Sequence, residues 1–143
     1  MKSTQSFTVQ WLTQLEVQLA NKFYRKYHFR GKAKRNESCV VVKNARREII
    51  ACGYLRNYET FNLLAGVAVA PHNQGKGVAQ LLLGNISARF TPITYTFPYE
   101  YLIPLYQSFG FKIVSIEQTA PQVVNLYTRY RNQGRSISLM RFQ

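Results

Sequence analysis

Residues 63–83 read LLAGVAVAPHNQGKGVAQLLL, and within a few positions the pattern changes from a buried strand to a helix. Phe61–Ala70 is apolar and of strand length, Pro71–Gln74 breaks it, and from Gly75 to Phe90 the period becomes helical, with Val78, Leu81, Leu82, Ile86 and Phe90 on one face. A strand that passes through a glycine loop straight into a helix commits the chain to a mixed α/β architecture. It also leaves the first N–H groups of that helix without partners. Gly75 and Gly77 carry no side chain that would hold an anion away from those donors, the helix dipole adds partial positive charge, and Lys76 adds a full one. Phosphate or pyrophosphate suits such a helix start. The competing reading is that the glycines serve packing alone.

Two well-known phosphate loops do not fit. In GxxxxGK[ST] the lysine precedes Ser or Thr, whereas Gly77 follows Lys76. In GxGxxG the third glycine falls on Gln80, and no aspartate follows to bind a ribose. Elsewhere the periodicity predicts a helix over 9–27 with Leu12, Leu15, Leu19, Phe23 and Tyr27 as its stripe, capped by Ser6 or Thr8. Strands follow at Cys39–Val42 and Ile49–Leu55, joined by the polar loop Lys43–Glu48. Beyond the central helix come a strand at Ile93–Phe97, a helix at Tyr99–Phe109 and a strand at Phe111–Ile116. A helix between Pro121 and Gly134 and a closing strand over 136–142 complete the order α-β-β-β-α-β-α-β-α-β.

Composition narrows the chemistry. With 143 residues, 46% hydrophobic and 17% charged, the chain reads as one packed domain spanning 1–143. Nineteen Lys and Arg stand against six acids, all of them Glu and at least eleven positions apart. The lack of Asp and of any local carboxylate cluster weighs against calcium loops, two-metal nucleases and paired-Asp hydrolases. The +13 charge favours polyanionic partners. Cys39 and Cys52 lie in apolar runs without metal-ligand spacing and read as buried, reduced thiols, so no metal site is expected. Residues 1–8 are polar with no apolar core after them, and no stretch approaches the roughly 20 apolar residues of a membrane span, so a cytoplasmic protein is expected.

The strand–loop–helix segment closely resembles motif A of the GNAT superfamily of acyl-CoA-dependent N-acyltransferases. That motif is V-x-V-x-P, two residues, then [R/Q]-x-x-G-x-[G/A], and here it reads Val67-Ala-Val69-Ala-Pro71-His-Asn-Gln74-Gly-Lys-Gly77-Val-Ala79. A second element, Leu105-Tyr106-Gln-Ser-Phe-Gly110-Phe111, resembles the family's LYxxxGF junction. The resemblance implies an α/β (α+β) fold with a mixed, mostly antiparallel sheet flanked by helices, splayed between the Val67–Val69 and Ile93–Phe97 strands. It implies acetyl-CoA as co-substrate, with its pyrophosphate on the backbone of Gln74, Gly75, Lys76, Gly77, Val78 and Ala79. The pantetheine arm would run along Val67, Ala68 and Val69. A backbone N–H near Val69 would meet the developing oxyanion, and Tyr106 would be the general acid.

The base is where the sequence departs from the family. Relatives often carry a Glu on the motif A strand where this chain has Leu63. His28, Glu59, Glu100, His72 or a water chain remain as substrate-side proton acceptors, none singled out by spacing. Tyr99 and Leu102 likewise replace the usual Asn and Ala. Lys22–Arg35 places seven cations among Phe23, Tyr24, Tyr27, His28 and Phe29 with no acid. That segment reads either as a solvated helix face or as a surface for an acidic acceptor or RNA, which Arg129, Arg131 and Arg135 would extend. Two functions follow: an acetyltransferase acting on an unidentified primary amine, or a GNAT-like module that binds RNA or another polyanion with little turnover. Small members of the superfamily are often dimers, which leaves a homodimer open.

Overall fold

The structure, a computed structural model, describes residues 6–143. Positions 1–5 of the polar 1–8 stretch lie outside the described residues. Seven strands hydrogen-bond in the order β1-β2-β3-β4-β5-β7-β6. They are β1 (Thr8–Trp11), β2 (Ser38–Lys43), β3 (Ile49–Asn57), β4 (Asn62–Val69), β5 (Thr94–Thr96), β6 (Phe111–Ile113) and β7 (Met140–Phe142). The helices are α1 (Val17–Lys26), α2 (Val78–Ile86), α3 (Ile103–Gln107) and α4 (Pro121–Asn132). The β1–β2, β2–β3, β5–β7 and β6–β7 pairs are antiparallel, and β4–β5 is parallel. The mixed, mostly antiparallel sheet expected from the sequence is therefore present. No helix is long and apolar enough to cross a membrane among the described residues.

The fold divides into two compact units, and the dividing line crosses β4 between Leu64 and Ala65. The first holds the chain up to Arg56 together with Ala65–Ala88. In it β2 is apolar on both faces because both are covered. Cys39 and Val41 pack into one cluster with Val17, Ala20, Phe23 and Tyr24 of α1 and with Cys52 and Tyr54 of β3. On the opposite face Val40 pairs with Gly53, whose missing side chain leaves room for Leu82 of α2. The second unit holds Asn57–Leu64 and Arg89–Gln143. Its core includes Phe90, Phe111 and Phe142, which meet at edge or tilted angles, and Tyr127, whose hydroxyl donates to Ile137 O at 3.0 Å.

One expectation fails at the start of the chain. Instead of a helix over 9–27, residues 8–11 form β1, paired with β2 from Thr8↔Lys43 to Trp11↔Val40. The helix begins only at Val17, after a 3₁₀ turn over Gln14–Glu16. The supposed stripe is misplaced too, because Leu15 is 73% and Leu19 41% exposed while Val17, Ala20, Phe23 and Tyr24 are buried. Neither Ser6 nor Thr8 caps the helix. Thr13 begins the turn, and its N–H donates to Glu16 Oε1 at 2.9 Å. The backbone pairing available along β2 prevails over a local helical period. The closing strand is also shorter than 136–142, since Ile137 makes only an isolated bridge to Tyr99 before β7 begins.

Candidate active site

In the first unit, β4 delivers the chain into the glycine loop. Ala70 N donates to Ile50 O at 2.8 Å, closing the strand against β3, and Pro71–Asn73 make one 3₁₀ turn. The Gln74 amide then folds back, its Nε2 donating to Val69 O at 3.1 Å. Gly75 (φ 77°) and Gly77 (φ 79°) both take left-handed backbone, which glycine adopts without the steric cost other residues incur. A Cβ at either would meet nothing within 4 Å. Packing therefore does not account for these glycines; the turn and the open space beside it do. Gly77 is the N-cap of α2, and the first intrahelical bond runs from Leu81 N to Gly77 O at 3.1 Å. The N–H groups of Val78, Ala79 and Gln80 precede that bond and have no helical acceptor. Gln74, Gly75, Lys76 and Gly77 are exposed, so the end of α2 presents donors, dipole and a lysine charge to solvent.

Val67, Ala68 and Val69 are half-buried. Just before them β4 kinks at Gly66 (φ 66°), whose carbonyl accepts the Tyr24 hydroxyl at 2.6 Å. His28 lies at the end of α1, exposed and with positive φ (60°), its N–H on Arg25 O at 3.3 Å. His72 is exposed on the 3₁₀ turn. Among the described residues, no ion pair joins either imidazole to a carboxylate.

In the second unit, Tyr106 sits on α3, only 4% exposed, with its ring edge-on to Phe111 at 6.0 Å. Burial pushes its phenol well above the ordinary tyrosine value. The neighbouring Thr96 hydroxyl works in the opposite direction, and Tyr101 adds to the rise. Tyr106 therefore keeps its proton throughout the physiological range, while full transfer to a thiolate of ordinary pKa, about 8.5, is uphill. Leu63, at the motif A position where relatives often carry Glu, is buried and pairs with Tyr95. Glu59 and Glu100 are exposed, on the turn before β4 and at the 3₁₀ start of α3. The β4–β5 ladder spans only Asn62↔Thr94 to Leu64↔Thr96, whereas β4 continues to Val69. Among the described residues, no three His, Cys or Glu side chains form a metal-binding group. The sequence did not single out Tyr24; its only trace there is one more aromatic on an amphipathic helix.

The acetyltransferase (GNAT) domain family model matches residues 35–113, more than half of the chain. The chain belongs to the GNAT acetyltransferase family. Solved structures share the GNAT fold. N-acetylglutamate synthase from Neisseria gonorrhoeae, solved with coenzyme A and N-acetyl-glutamate, aligns over 100% of this chain and 36% of its own, at 15% identity and a TM-score of 0.64. The ribosomal-protein-S18-alanine N-acetyltransferase from Escherichia coli aligns over 96% of this chain and 93% of its own, at 14% and 0.64. Rv2747 from Mycobacterium tuberculosis, solved in complex with CoA, aligns over 94% and 98%, at 14% and 0.66. At these identities the likeness is one of fold. This GNAT chain spans about a third of the length of the N-acetylglutamate synthase chains, 36% and 33%. None of the curated proteins matches the sequence.

Proposed function

We propose that the protein, acting as one GNAT domain, transfers an acetyl group from acetyl-CoA to a primary amine by direct attack. The observation that carries this is the start of α2, where two left-handed glycines face open space beside free N–H donors and Lys76. That arrangement suits a pyrophosphate, and the acetyltransferase family match says which pyrophosphate-bearing molecule to try first. Bound acetyl-CoA supplies a thioester carbonyl already activated toward amines. The backbone of Gln74 to Ala79 holds the pyrophosphate, and the peptide groups of Val67, Ala68 and Val69 align the pantetheine arm. A backbone N–H at Val69 polarises the carbonyl oxygen as charge develops there. As the C–N bond forms and the C–S bond breaks, the Tyr106 hydroxyl donates a hydrogen bond to the leaving sulfur, and the proton that the attacking nitrogen loses ends on that sulfur, so the products are the amide and the free thiol. The ammonium proton of the acceptor must leave first; the buried Leu63 takes no part in that, and solvent reached through Glu59, Glu100, His28 or His72 is the route.

Calorimetric titration with acetyl-CoA tests the cradle. Lys76→Glu, on an exposed side chain, should weaken binding about tenfold at low salt and less as salt rises. Gly77→Glu, with a side chain in left-handed backbone and a charge facing the phosphates, should abolish it. Unchanged binding in both variants overturns the assignment.

A second reading, a GNAT-like module that binds RNA, rests on the segment 22–35. All seven of its Lys and Arg are exposed, and among the described residues none makes an ion pair. Tight, steeply salt-dependent RNA binding without thioester cleavage over a panel of amines would favour it.

A further inference from the structure

We propose that Tyr24 and Tyr54 clamp the kink of β4 at Gly66 and thereby set the direction of the Val67–Val69 backbone, making Tyr24 a positioning residue of the acetyl-CoA strand. The functional half of this inference rests on the coenzyme reading above; the structural half does not.

Positive φ at Gly66 departs from regular strand backbone in the middle of β4, and a half-buried carbonyl at such a point is well served by a side-chain donor. Tyr24 supplies it from α1, 42 positions away in sequence, at 2.6 Å. Its ring is 1% exposed, so water does not compete for that bond. Tyr54 closes the other side. A Cβ at residue 66 would stand 2.5 Å from Tyr54 Cε1 and 2.6 Å from the Tyr24 hydroxyl, so the two phenol rings occupy the space any side chain would need. The rings brace each other edge-to-face at 6.1 Å and 81°. Each is fixed in turn by the segment after α1. Lys32 N–H donates to the Tyr54 hydroxyl at 3.2 Å, and Gly31 lies so close to Tyr24 that a Cβ there would fall 2.5 Å from its ring. A tyrosine serving only as core filler would not need its hydroxyl aimed at the carbonyl of the one β4 residue with positive φ. The residue after that carbonyl is Val67, the first of the three peptides proposed to align the pantetheine arm.

Tyr24→Phe keeps the ring and removes the hydroxyl alone. Hydrogen exchange on the ligand-free protein should show peptides covering 66–69 exchanging about tenfold faster in this variant, the scale of one lost buried hydrogen bond. Peptides over Val40–Val42 should be unchanged. Unchanged exchange at 66–69 in Tyr24→Phe overturns the clamp, and so does uniform acceleration across all peptides, which would mean general loss of stability. Titration with acetyl-CoA is read separately. If the wild type binds none, the coenzyme reading fails while the exchange result still decides the clamp. If the wild type binds, Tyr24→Phe should raise Kd and KM several-fold with little change in kcat. Affinity equal to wild type despite faster exchange would overturn the positioning role.

Discussion

Arg56 and Glu37 show how a strongly basic chain uses one of its six acids. Arg56 Nε donates to Glu37 Oε2 at 2.5 Å and Nη2 to Lys32 O at 2.6 Å, while Lys34 N–H donates to Glu37 Oε1 at 2.6 Å. The carboxylate thus pins the loop between α1 and β2 to the end of β3. Glu37→Ala would take the carboxylate away from a half-buried guanidinium and leave a backbone donor open, so urea denaturation should show a loss of about 2–3 kcal/mol. The sequence carried no mark of this role: Glu37 reads there as a lone acid after a basic run, and only the fold brings residue 56 to it. The glycine loop is the opposite case. The residue types and spacing of Gly75, Lys76 and Gly77 were enough to predict a strand–turn–helix with exposed donors, because those constraints are local backbone chemistry. Packing as the reason for the glycines falls away on the open space beside both.

At the scale of elements, the 3₁₀ turn ahead of α1 depends on Glu16, whose carboxylate accepts the Thr13 N–H and also Gln10 Nε2 at 3.2 Å. Those hydrogen bonds, Thr13's first, hold its carboxyl below the ordinary glutamate value. A lowered folded value adds stability above the unfolded pKa, and that stability is lost as pH falls through the folded one. Glu16→Ala should therefore lower Tm by about 2–4 °C at neutral pH, with the gap to wild type closing below about pH 4. A constant gap across that range, followed by calorimetry, would show that the carboxylate is not what matters. Most elements from β2 to α4 were legible because an apolar run or a helical period coincides with burial there. The segment 8–16 was not. Its leucines at helical spacing are exposed, and β1 exists because β2 offers an edge, which is information held thirty residues downstream.

For the molecule as a whole, alkaline pH is the informative axis. Burial pushes the Tyr24 and Tyr106 phenols well above their ordinary value, and the hydrogen bond with Cys52 together with burial does the same to the Cys39 thiol. All three have folded values raised above the unfolded ones, so their contribution is complete below the unfolded values, about 9 for the thiol and 10 for the phenols, and is lost as pH rises through the folded values. Denaturation midpoints should hold from pH 7 to about 8.5 and fall steeply above about 10, with part of the tyrosinate absorbance of the ten tyrosines appearing only as the protein unfolds. Smooth titration of all ten with no loss of structure would contradict this. The same two thiols have a practical use. Cys39 and Cys52 are free, fully enclosed by β2, β3 and α1, and 3.6 Å apart, and the chain holds no other cysteine. A colorimetric thiol reagent in excess meets sulfur only when that hairpin opens, so colour development in the native protein is a stopwatch for the opening, with no engineered label required.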